Sequence, residues 1–209
     1  MRAAALPWSH TGHYYDVLLR ALPAQRGRAL DIGCGEGQFA RVLAERFEHV
    51  EALDRDPAAV ANARTLCADA PNVSVLLDDI LTHPLEPGAY DLICALASLH
   101  HLPFRQAINQ VKAALRPGGV FAAIGLWRAA APFDFLASAV AFPVSHFYRL
   151  ARLHRLREPA SRVRIREPDL TLHEICALAR ELLPGAKLRR HLLWRYTLVW
   201  TRPADRGEQ

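Results

Sequence analysis

Lysine is almost missing from this chain: of 26 basic residues in 209, only Lys112 and Lys187 are lysines and the rest are arginines. Alanine is abundant beside the arginine, a pairing that follows GC-rich codon usage, so the formal charge of +5 is poor evidence for a nucleic-acid partner. Cysteine is scarce as well. Cys34, Cys67, Cys94 and Cys176 are dispersed, with no Cys-x-x-Cys pair and no metal-ligand spacing. That argues against a disulfide framework or a structural metal and predicts reduced thiols. Long hydrophobic runs are absent too. The longest, Phe133 to Val144, is interrupted by Asp134 and Ser138 and is too short to span a bilayer. Met1 to His10 lacks the apolar core and cleavage pattern of a signal peptide. A cytoplasmic protein with no membrane span and no internal repeats is the expectation.

What is present is a hydrophobic fraction of 51% and a length that fits a single domain, residues 1–209, with a sizeable core. Strand and helix patterns alternate between residues 28 and 125. Arg28 to Ile32 reads as a strand and Gln38 to Phe47 as a helix. Val50 to Leu53 is a second strand ending at Asp54, and Pro57 opens a helix to about Cys67, proline being tolerated in a first turn. Val73 to Leu77 and Tyr90 to Ala95 read as strands, Phe104 to Leu115 as a helix, Arg116-Pro117-Gly118-Gly119 as a stop, and Val120 to Gly125 as another strand. Such alternation predicts βαβ units and a parallel sheet. Further on, Thr171-x-x-Glu174 is a candidate capping box for a helix starting at Asp169 or Thr171 and ending at Leu182. Pro184-Gly185 breaks it, and Ala186 to His191 and Leu193 to Thr201 are close enough to form a hairpin.

The densest signal is Leu30-Asp31-Ile32-Gly33-Cys34-Gly35-Glu36-Gly37, a strand that ends in glycines at every second position before a helix begins at Gln38. Glycines there let the backbone turn tightly and approach a ligand closely. The dinucleotide fingerprint requires glycine at position 38, where this chain has glutamine. Asp31 would repel a pyrophosphate and favour a cation, so the pattern points to an adenosine bearing a positive amine or sulfonium. At these residues the chain resembles the class I S-adenosylmethionine-dependent methyltransferases. The resemblance covers residues 28 to 125, with a fainter fit after 169. It implies a Rossmann-like α/β sheet of seven strands, mostly parallel with an antiparallel C-terminal strand and helices on both faces, and S-adenosyl-L-methionine as cofactor.

On that resemblance the cofactor-binding candidates are Asp31, the turn Gly33, Cys34, Gly35 and Gly37, then Asp54 with Arg55, Asp79 with Ile80, Ala95 and Tyr14. Turn amides are expected to meet the methionine carboxylate, and Asp31 the amino group. Asp54, at the end of the second strand, suits a ribose diol; Asp56 is its competitor, and either acid can instead cap the helix at Pro57. Asp79 matches the family's strand-three acid for the adenine amine, with Asp78 as the alternative if the register slips by one. His100, in the His100-His101 pair after the fourth strand, is the candidate proton acceptor; the plainer reading is a helix-start histidine. The aromatic and histidine-rich run from Trp8 to Asp16 suggests a cap over the cofactor, about residues 1–26, in which Tyr14 or Tyr15 touches the methionine part and His10 or His13 the substrate. The same run can instead staple a helix onto the sheet. Residues 126–168 are long for a connection and suggest a lid or substrate insertion, with Trp127 shaping the acceptor pocket. Seven arginines between Arg149 and Arg166 lie in that insertion and serve either a solvated face or an acidic partner.

Some activities are disfavoured. The Asn/Asp-Pro-Pro-aromatic motif of adenine and glutamine methylation is replaced by Ala95-Leu96-Ala97-Ser98, and no Pro-Cys nucleophile is present. The expected reaction is methyl transfer to an oxygen, nitrogen or carbon atom of a small molecule or short peptide. RNA methylation and a non-catalytic cofactor-binding module are the alternatives. Acceptor pockets are built from variable loops, so the shared motif does not specify the acceptor.

Overall fold

A computed structural model describes residues 15–129, 168–191 and 194–204. The strands are β1 (Arg28–Ile32), β2 (His49–Asp54), β3 (Val73–Leu77), β4 (Tyr90–Leu96), β5 (Leu115–Leu126), β6 (Lys187–Arg190) and β7 (Arg195–Thr201). They form a seven-stranded sheet in the order β3-β2-β1-β4-β5-β7-β6. The pairs from β3 through β5 are parallel, and β7 runs antiparallel to both of its neighbours. The helices are α1 (Tyr15–Leu19), α2 (Gln38–Ala44), α3 (Pro57–Leu66), α4 (Phe104–Ala114) and α5 (Leu172–Leu182), with a 3₁₀ turn at Leu99–His101. Tyr14, His10 and His13 lie outside the described residues, as do the arginines from Arg149 to Arg166 and all of the expected insertion except residues 126–129 and 168.

Side chains on each strand alternate between two apolar layers, as the two-residue strand period requires. Leu30, Ile32, Ile93, Ala95 and Phe121 pack with α4 and α5 on one face. Ala29, Val50, Leu92, Cys94 and Ala122 pack with Phe39 and Leu43 of α2 on the other. Each face is therefore a separate core around a common sheet, and helices cover both. Among the described residues no helix is long and apolar enough to cross a membrane, and no three His, Cys, Asp or Glu side chains gather as metal ligands.

Most boundaries fall within one or two residues of the sequence reading. The largest difference is β5, which begins at Leu115 where the sequence reads a stop followed by a strand from Val120. The segment Arg116-Pro117-Gly118-Gly119 is a bulge inside the strand, where register shifts between Tyr90 and Leu92. Gly118 takes a positive φ of 78° there. The bulge is stitched to the chain's end by Gly118 N–H to Arg202 O at 2.9 Å and Arg202 N–H to Gly119 O at 2.8 Å. Arg116 reaches back to the buried Asp91 carboxylate at 2.6 Å. A turn signal in sequence has become an irregular strand because tertiary partners satisfy its backbone. Helix α2 also stops early, at Ala44 instead of Phe47.

Candidate active site

The strand order reverses between β1 and β4, and the crevice beyond the carboxyl ends of those strands is the natural ligand site of an open α/β sheet. Asp31 and the glycine turn sit on its β1 side, and Ala97 to His101 on its β4 side. Asp54 and Asp78-Asp79 end or follow the next two strands out.

Asp31 is 1% exposed. The Cys94 thiol donates to its Oδ1 at 3.4 Å, while its Oδ2 has no hydrogen-bond partner among the described residues. Burial pushes the carboxyl up to about 7, the Cys94 thiol draws it back only partly, and Asp54 nearby raises it further. A buried, half-satisfied carboxylate is costly unless a cation or proton meets it. Tyr15 lies close enough for Asp31 to help burial push its phenol up to about 12. Its ring stacks at 4.8 Å on Phe39. Of the two tyrosines weighed from sequence, Tyr15 is the one within the described residues.

Four amides of the glycine turn are bonded within the protein. Gly33 and Cys34 both donate to Leu53 O, at 2.7 and 3.1 Å, and Gly37 donates to Cys34 O at 3.0 Å. Gly35 donates to Asp54 Oδ2 at 2.8 Å. The turn is thereby tied to β2. Gly35 itself, at φ 55°, has nothing within 4 Å of where a Cβ would stand. That open backbone beside an orphaned buried carboxylate oxygen fits a bulky, cationic ligand.

Asp54 accepts the Asp56 amide on its other oxygen at 2.9 Å, and Asp56 caps α3 by accepting from Ala58 N–H at 2.9 Å. The competitor is thus occupied as the cap, and Asp54 ends the strand. Arg55 is exposed. Asp78 is bound to His83 Nδ1 at 2.8 Å, while Asp79 accepts the Leu81 amide on Oδ1 at 2.9 Å. Its Oδ2 has no protein partner among the described residues. Ile80 is buried. Ala95 is sealed in the core on the α4 and α5 face, so its side chain faces helices.

His100 lines a small pocket together with Leu99, Leu102, Phe104, Ile175 and Tyr196. Burial and the neighbouring His101 ring, 4.0 Å away, push its imidazole down to about 4, so it is neutral at physiological pH. Its buried Nδ1 has no hydrogen-bond partner among the described residues. A neutral imidazole with an uncommitted nitrogen can accept a proton. Trp127 is only 2% exposed and lies beneath Arg190, 5.3 Å from guanidinium to ring centre.

Sequence reasoning missed Ser98 and its contact with β1. The Ser98 hydroxyl donates to Ile32 O across the mouth of the crevice. Nothing local in the sequence signals a bond between residues 66 apart. Ala97 before it has a positive φ of 55°, rare outside glycine.

Comparison with known proteins agrees with this arrangement. The model of a methyltransferase domain matches residues 29–119. The chain is 32% identical over 207 residues to an uncharacterized methyltransferase of Mycobacterium tuberculosis strain H37Rv, covering 94% of this chain and 98% of that protein. Over 110 residues it is 36% identical to trans-aconitate 2-methyltransferase of Variovorax paradoxus, spanning 51% of this chain and 41% of that enzyme. A crystal structure of an S-adenosylmethionine-dependent methyltransferase from Aquifex aeolicus superposes with a TM-score of 0.60 at 16% identity. That match covers 90% of this chain and 88% of the other.

Proposed function

Because the chain belongs to the class I S-adenosylmethionine-dependent methyltransferases, we propose that it methylates an oxygen, nitrogen or carbon nucleophile of a small molecule or short peptide. The observation that carries the reading is Asp31, a carboxylate sealed from solvent with one oxygen unpartnered beside an open glycine turn. One further observation supports a small acceptor: trans-aconitate in the Variovorax relative is a small acid.

When bound, S-adenosylmethionine supplies a methyl group on a sulfonium, which needs alignment and a dry site more than activation. Asp31 holds the cationic amino end of the cofactor and is itself relieved of an uncompensated burial. Asp54, already fixed by two amides, offers its remaining lone pairs to the ribose hydroxyls. Asp79 accepts from the adenine amine, with Ile80 against the ring. His100 would take the proton of a hydroxyl or amine acceptor on its uncommitted nitrogen. An acceptor nucleophile already free of its proton needs no such base.

The test is incubation with S-adenosylmethionine and a panel of phenols, alcohols, amines, small carboxylic acids and short peptides, with S-adenosylhomocysteine measured by mass spectrometry. Acceptor-dependent release of S-adenosylhomocysteine is the expected result. Calorimetric binding of NAD(H) with no binding of S-adenosylmethionine would overturn the reading.

A further inference from the structure

The Ala97-Ser98 corner joins three strands at the point where the sheet reverses. Pairing between β1 and β4 stops at Asp31 and Cys94, so beyond it the two strands diverge and Ile32 O has lost its ladder partner. The Ser98 hydroxyl donates to that carbonyl. On the other side, the Ala97 amide donates to Ile124 O of β5 at 2.7 Å. The corner also fills space tightly. A Cβ built on Gly33, whose φ is 68°, would stand 2.4 Å from the Ser98 Cβ. Ala97 adopts its unfavourable φ of 55° to turn the chain into this position. Two residues later comes His100.

We infer that Ser98 is a positioning residue: its hydroxyl latches the cofactor turn after β1 to the β4 segment that carries the proton acceptor. This rests on the cofactor reading above. The chain spends a strained backbone, a glycine with no room for a methyl, and a side-chain bond on one contact between the two halves of the site. Ser98 touches no reacting atom. It fixes where Gly33 to Gly35 stand relative to His100, and displacement of either half degrades alignment.

The test uses the full chain and its Ser98→Ala and Ser98→Thr variants, all measured at 10 °C. Amide hydrogen exchange at Cys34 and Gly35 in the unliganded protein reads how firmly the turn is held. Calorimetry with S-adenosylmethionine reads its effect on binding. Loss of one such hydrogen bond predicts about fivefold weaker cofactor binding and about fivefold faster exchange in Ser98→Ala. Ser98→Thr, which keeps the hydroxyl, restores both to within about twofold of the wild type. Unchanged exchange, unchanged affinity, or a threonine variant as impaired as the alanine one overturns the inference. If wild-type protein does not bind S-adenosylmethionine, the cofactor reading falls, and with it the assigned role. Fast exchange in Ser98→Ala would then show only a structural clamp.

Discussion

Asp31 sets the most direct pH dependence. Its carboxyl ionises near 7 in the folded protein, above the ordinary carboxylate range, because burial disfavours the charge. Above that pH it is charged and attracts a cation; below it, neutral. Cofactor affinity is therefore expected to fall as pH drops below 7, by about tenfold per unit at the limit of one linked proton. Calorimetry across pH 5.5 to 8.5 checks this, and Asp31→Asn should flatten the profile at weak affinity. Folding stability runs the opposite way with pH. The raised acid costs the folded state most above pH 7, so Asp31→Asn should raise the unfolding midpoint at pH 8 even as binding is lost. His100 shifts the opposite way. With its ionisation near 4, it contributes no inflection to kcat/KM around 6.5. His100→Gln should lower kcat by about a hundredfold or more for a protic acceptor while leaving cofactor affinity unchanged.

At the scale of elements, helix α4 shows how distant residues finish what local sequence begins. Its last carbonyls would be orphaned by the turn into β5. The Arg202 guanidinium donates to Lys112 O at 3.0 Å and to Leu115 O, supplying positive charge at the negative end of the helix. Arg202→Ala is expected to cost about 1–2 kcal/mol in chemical denaturation, without changing cofactor affinity. Helix α5 is the opposite case, complete within itself. Thr171 accepts from the Glu174 amide at 3.3 Å and Glu174 accepts from the Thr171 amide at 2.8 Å. That box was readable from four residues. So were β1 to β4 and the acids at their ends, because hydrophobic runs, glycine and helix-opening proline are local signals. The bulge at Arg116 to Gly119, the Arg202 cap and the Ser98 bond were not, because their partners lie 60 or more residues away.

The whole molecule is one sheet with two apolar faces, and its candidate site occupies only the reversal point between β1 and β4. Tyr15 apart, the cofactor candidates within the described residues fall between Asp31 and Ala95, yet that half does not make a closed structure. Strand β7 covers the flank of β5 along seven paired residues, from Val120 opposite Thr201 to Leu126 opposite Arg195. Tyr196 lies over Gly125, where a Cβ would stand 2.2 Å from its ring. Leu198 and Trp200 complete the core on the α4 and α5 face. A chain ending at residue 190 should lose its cooperative thermal transition and bind a hydrophobic dye, despite retaining every cofactor candidate.

The position of β7 carries a consequence for how the protein is made. This strand slots between β5 and β6 but is the last of the seven to be synthesised. On the ribosome, β5 must wait with a bare, apolar edge until some 70 further residues have emerged. The interval is a window for mispairing with another nascent chain, and its length is set by the stretch between Leu126 and Arg195. Slowing translation in that stretch should lower soluble yield, whereas slowing it after Thr201 should not.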